Sequence, residues 1–137
     1  MKNIRVLLVD DEEKFVISTR KFLTNRNFDV LTAFNGMSGL EMLESNNDIH
    51  VVVLDVKMPG MDGISVLKEI KARFPLVEVV MLTGNATFES AVAGIKIGAS
   101  DYLMKPAEPG ELVQKIEEAF EKRKLNEERR LHESRKP

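Results

Sequence analysis

The apolar residues of this chain gather into five short runs: "IRVLLV" (4–9), "FDVLTA" (28–33), "HVVVL" (50–54), "VEVVML" (77–82) and "SDYLM" (100–104). The first, third and fourth are almost continuous and rich in Val, Leu and Ile. Such runs suit strands buried on both faces, as in a parallel sheet, better than strands with one wet face. The intervening segments change period. Residues 12–26 place Phe15, Thr19, Phe22 and Leu23 on one helical face, and residues 36–45 repeat Met37, Leu40 and Leu43. Residues 62–73 carry Ile64, Leu67 and Ile70 behind a cap-like Asp62, and residues 86–97 carry Phe88, Val92 and Ile95. A last helix is predicted to start near Pro109 and to present Leu112, Ile116, Ala119 and Phe120.

Strand then helix, five times over, predicts an α/β fold: a doubly wound five-stranded parallel sheet with helices on both faces. No internal repeat or low-complexity segment interrupts it. From about Glu117 the chain is mostly charged, "EEAFEKRKLNEERRLHESRKP". This predicts a solvated helical extension that frays toward the terminus, weakly supported by pairs such as Glu118 with Lys122. Leu125 and Leu131 miss a clean heptad, so a coiled coil is poorly signalled. The division expected is a domain over 1–122 and a charged helical extension or linker over 123–137.

Composition narrows the picture. The 137 residues fit one domain with a sizeable core, and a net charge of −2 argues against a general nucleic-acid binder. There is no cysteine, hence no disulfide and no thiol chemistry. The apolar run at the N-terminus is too short for a signal sequence, and nothing approaches the roughly 20 apolar residues of a membrane span. A soluble, cytoplasmic protein is expected.

The polar residues matter because of where the strands put them. In a parallel sheet all strand C-terminal ends lie on one edge, where open α/β sheets bind ligands. Asp10 and Asp11 follow the first strand, Asp55 the third, Thr83 the fourth and Lys105 the fifth. Each alone has a plainer reading. Asp11 could cap a helix, with Glu12 and Glu13 answering its dipole. Asp55 and Thr83 could be turn residues, and Lys105 a surface lysine. Together they bring three acids, a hydroxyl and a base to one small site.

The chemistry of that set is coherent. Crowded carboxylates repel one another, and a hard divalent cation such as Mg²⁺ relieves the repulsion. Thr83 can donate to an anionic oxygen, and Lys105 suits phosphate as a point charge. A carboxylate held among them is placed to attack phosphorus and form an aspartyl phosphate. Asp55, alone at the end of a central strand and followed by a Pro/Gly turn, is the expected nucleophile.

With these residues in place the chain resembles a receiver domain of a two-component response regulator, of the chemotaxis-regulator-like type. The resemblance covers roughly residues 4–122 and rests on "VLLVDDE", "VVVLDVKMPGMDG", "VVMLTG" and "GASDYLMKP". It implies the strand order 2-1-3-4-5. It implies that Asp55 accepts a phosphoryl group from a histidine kinase or phosphotransfer protein. Asp11 would ligate Mg²⁺ directly, Asp10 largely through water, and the backbone carbonyl of Lys57 would be a further ligand. Thr83 and Lys105 would bind phosphoryl oxygens, and Tyr102 would be a switch aromatic that turns inward as Thr83 moves. The Lys105–Pro106 peptide would be cis, and the fourth helix, fifth strand and fifth helix would form the output surface. Lys57 and Asn85, each two residues past a site residue, would flank the water that hydrolyses the phosphate.

Two other classes share parts of this pattern. Haloacid dehalogenase-type phosphohydrolases use an aspartate nucleophile with Mg²⁺, but typically need a second aspartate where this chain has Lys57. A flavodoxin-like flavin protein has the same fold class, but "DDEEK" after strand one would repel a phosphate. The expectation is a stoichiometric phosphoacceptor rather than an enzyme, with an output partner or domain and with monomer and homodimer both open.

Overall fold

Alternate residues of the central strands enter opposite layers, and that alternation organises the molecule. Val6 and Leu8, Val51 and Val53, and Val80 and Leu82 join one buried cluster, completed by Val16, Leu23, Leu112, Ile116 and Ala119. Leu7 and Val9, Val52 and Leu54, and Val79 and Met81 join the other, with Leu40, Leu43, Val66, Leu67 and Ile70. Strands wet on neither face explain the continuous apolar runs. Truncating a fully buried residue such as Leu54 or Leu67 to Ala would cost about 2–5 kcal/mol.

The structure, a computed structural model, describes residues 3–56, 62–84 and 88–134, with the side chains of Thr83 and residues 88–90 left aside. The elements are β1 (Arg5–Val9), α1 (Glu13–Thr24), β2 (Asp29–Ala33), α2 (Gly36–Ser45), β3 (Val51–Leu54), α3 (Gly63–Arg73), β4 (Glu78–Thr83), α4 (Phe88–Ile97), β5 (Asp101–Met104) and α5 (Pro109–Ser134). The strands form one five-stranded parallel sheet in the order β2-β1-β3-β4-β5, as expected. Helices α1 and α5 cover one face, and α2 and α3 cover the other. Local signals set the helix starts. The Asn35 side chain accepts from the Ser38 N–H at 2.8 Å, and Asp62 accepts from the Ile64 N–H at 3.2 Å.

Two expected core positions change. Met37 is 63% exposed and Ile95 48% exposed, so neither faces the core. Residues three apart lag a full helical turn by about 60°, so Met37 sits about 120° from Leu43. The inward stripe of α2 is Gly36, Gly39, Leu40 and Leu43. Among the described side-chain positions of α4, 91–97, it is Gly94 that is buried, close enough to β4 that a Cβ would meet Met81 Sδ at 2.4 Å.

The charged extension also differs from its expectation. Helix α5 runs to Ser134 without a break at 122–123. Glu118 pairs with Lys115 at 3.5 Å, while Lys122 Nζ lies 3.7 Å from Glu78 on β4. Arg123 donates to the Ile49 carbonyl at 3.1 Å, and Asn126 donates to Glu78 at 3.3 Å. The first turns of the extension are therefore docked onto the N-terminal edge of the sheet rather than solvated throughout.

Candidate functional site

The chain leaves β1 for β2 on one side and crosses to β3 on the other, so the order in which strands are added reverses between β1 and β3. Both strands end there in an acid. Val9 pairs with Leu54, which puts Asp10 and Asp55 level, one residue further on. The Asp55 N–H donates to the Val9 carbonyl at 2.9 Å, and the Asp10 N–H donates to the Ala33 carbonyl at 3.1 Å. Each backbone is thus held by a ladder bond, which fixes where its carboxyl starts. Asp10 is 3% and Asp55 5% exposed, while Asp11 lies in solvent.

Carboxylate oxygens of Asp10, Asp11 and Asp55 lie within 4.8 Å of one another. Two buried anions so close repel strongly unless a cation intervenes. The donors are all carboxylate oxygens, without His or Cys, which fits a hard, oxygen-seeking cation and not zinc. The site can hold a divalent ion on chemical grounds.

A resident cation also reaches it. Lys105, just past β5, extends its ammonium to 2.6 Å from Asp10 Oδ2, 2.6 Å from Glu12 Oε1 and 3.9 Å from Asp55 Oδ2. Its aliphatic stem is shielded, and Nζ lies 4.3 Å from the Phe15 ring centroid. Burial alone would lower the Lys105 pKa. Hydrogen bonds to Asp10 and Glu12, with the charges of Asp10 and Asp55, outweigh it and raise the value above 10.5. The lysine is held charged. The peptide after it, Lys105–Pro106, is cis, as the resemblance implied.

Thr83 ends β4 with its backbone paired to Met104. Tyr102 pairs with Met81, and its half-buried ring packs against the α2–α3 side core. Its hydroxyl is buried with no hydrogen-bond partner among the described residues. Lys57 and Asn85 lie outside the described residues. The sheet therefore gathers Asp10, Asp11, Asp55 and Lys105 at one edge, with Thr83 at the end of the adjoining strand.

Sequence reasoning missed Glu12 as a partner of Lys105. The plainer alternative for Asp11, a cap on α1, does not hold, because the cap residue is Glu12, without a side-chain cap bond. The available signal was a glutamate at a position that favours Ser, Thr, Asp or Asn.

Fold and site together define a receiver-type α/β domain. The chain belongs to the response regulator receiver domain family, whose pattern matches residues 6–117. Among curated proteins it is 38% identical over 130 residues to a putative response regulator NtrX-like of Rickettsia bellii (strain RML369-C). A Rickettsia felis counterpart is 37% identical over 130 residues. In both cases the match covers 93% of this chain and 27% of the relative, so the chain spans about a quarter of their length. Among solved structures, a CheY-like response regulator receiver domain protein from Methanospirillum hungatei JF-1 superposes with a TM-score of 0.86 at 30% identity. That match covers 91% of this chain and 99% of the other. NtrX from Brucella abortus superposes with a TM-score of 0.86 at 32% identity, covering 93% of this chain and 29% of that one.

Proposed function

We propose that this receiver domain is a phosphoacceptor, taking a phosphoryl group onto Asp55 from a histidine kinase or phosphotransfer protein. The observation that carries the reading is the buried Asp55 carboxylate, grouped with Asp10 and Asp11 and 3.9 Å from the Lys105 ammonium. In the transfer, an Asp55 carboxylate oxygen forms the new bond to phosphorus as the bond to the donor's leaving nitrogen breaks. Lys105 binds an equatorial oxygen of the moving group as a point charge, and Thr83 donates a hydrogen bond to another. Asp10, Asp11 and Asp55, with the backbone carbonyl of Lys57, would hold Mg²⁺, which supplies charge neutralisation at the phosphoryl oxygens. The carboxyl is consumed once per transfer, so the domain is a stoichiometric acceptor and not a turnover enzyme.

The product adds about −1.5 to −2 charge at one edge, enough to draw Thr83 and Lys105 toward it and bias Tyr102. The output surface is α4, β5 and α5, where Ile95 and Met104 leave apolar area facing solvent. An output domain or partner protein, or a second copy, would read it. In this reading the receiver proper is residues 1–122, residues 123–137 are its charged extension, and the domain works in the cytoplasm. The reading includes no direct contact with nucleic acid or membrane, and no helix among the described residues is long and apolar enough to cross a bilayer.

Intact mass after acetyl phosphate and Mg²⁺ tests the proposal. One added phosphoryl group in the parent and none in Asp55→Ala is expected. A gain that survives Asp55→Ala overturns the assignment, and many turnovers on a small phosphate ester would point to a phosphohydrolase instead.

A further inference from the structure

Glu12 stands where a helix cap belongs and does not cap. It precedes α1 in extended conformation, and its side chain makes no cap hydrogen bond. Its backbone N–H donates to Asp10 Oδ1 at 2.9 Å, while its carboxylate lies 2.6 Å from Lys105 Nζ. The residue type is a poor cap, and its side chain is used on the Lys105 ammonium, which reaches the acidic edge.

We propose that Glu12 is a positioning residue that holds the Lys105 ammonium off Asp55, and that Lys105 leaves Glu12 when it binds a phosphoryl oxygen. This rests on the phosphoacceptor reading above. Three carboxylates compete for the lysine, at 2.6 Å (Asp10), 2.6 Å (Glu12) and 3.9 Å (Asp55). Asp10 and Asp55 belong to the cluster able to hold a cation, and Glu12 does not. A cation there would draw on Asp10 and leave Glu12 as the lysine's principal tether. The Glu12 side chain is 62% exposed, so water replaces the contact readily and the tether is weak. A weak, releasable tether beside a buried nucleophile slows engagement without blocking it.

The test uses the full chain with Mg²⁺ and beryllofluoride, a phosphoryl mimic, followed by ¹⁹F NMR. Glu12→Gln is expected to tighten beryllofluoride by about threefold to fivefold, the size of one exposed ion pair. The tightening should vanish in a Lys105→Met background, and Glu13→Gln, which removes the neighbouring exposed acid, should not reproduce it. Equal tightening with Lys105 absent would show a general charge effect and overturn the proposal, as would weaker or unchanged binding in Glu12→Gln. A second readout needs no phosphoryl mimic: the Lys105 ammonium resonance should shift in Glu12→Gln, and an unmoved resonance overturns the tether. A parent that binds no beryllofluoride while that resonance does shift would refute the phosphoacceptor reading and, with it, the braking role, leaving only the ion pair.

Discussion

Asn126 on α5 donates a hydrogen bond to Glu78 at the start of β4, 3.3 Å away and 48 residues apart in sequence. Glu78 is 1% exposed, an acid inside the sheet's edge. Ser100 also donates to it, and Lys71 and Lys122 stand at 3.8 and 3.7 Å. Burial lowers the Lys71 pKa, and Glu78 works against that. One carboxylate thus joins α3, β4, the turn before β5, and the far part of α5. Glu78→Ala leaves the part-buried Ser100 and Asn126 donors without their acceptor and should cost about 1–3 kcal/mol in urea unfolding. Asn126→Ala should cost about 1 kcal/mol and speed hydrogen exchange chiefly in 123–134.

Gly63 should tolerate no side chain. A Cβ there would lie 2.5 Å from Val56 Cα and 2.6 Å from the Asp55 carbonyl oxygen, both backbone atoms that cannot swing away. The Gly63 N–H also donates to the Val56 carbonyl at 2.9 Å, tying the start of α3 to the residue after Asp55. Gly63→Ala should destabilise by roughly 1–3 kcal/mol and slow phosphoryl acceptance, read by thermal melting and by intact mass.

Metal binding should be visible as stability. A cation that binds only the folded chain, at a hundredfold excess over its Kd, raises the unfolding free energy by about 2.7 kcal/mol. Mg²⁺ should raise Tm and EDTA should reverse it. Asp11→Asn should keep or raise the apo Tm, because Asp11 is exposed and its charge adds to a self-repelling cluster, yet lose most of the Mg²⁺ response. An undiminished response in that variant would remove Asp11 from the ligand set.

His50 gives the fold a pH dependence. Burial first, then the Arg123 charge, lowers its pKa below the ordinary 6.5. Its Nδ1 accepts the Arg5 N–H at 2.9 Å, which a protonated ring cannot do. The unfolded chain therefore binds the proton more readily, and stability falls as pH drops from about 6.5 toward the lowered value. Urea midpoints at pH 7.5 and 5.5 should differ more for the parent than for His50→Gln. An equal difference would show that carboxylates alone set the acid limb.

Much of the fold was legible in one dimension. Strands buried on both faces need unbroken apolar runs, and the runs at 4–9, 50–54 and 77–82 lie over β1, β3 and β4 to within a residue. Asp10, Asp55, Thr83 and Lys105 were legible too, because a parallel sheet sends every strand's C-terminal end to the same edge. Side-chain partners were not. Nothing in local spacing says that Glu12 faces Lys105, 93 residues on, or that an acid within "VEVVML" collects donors from three other elements. Period and turn chemistry act over a few residues and are written in the sequence order. Which polar group meets which depends on how strands and helices pack after the chain has closed, and only the tertiary structure decides that.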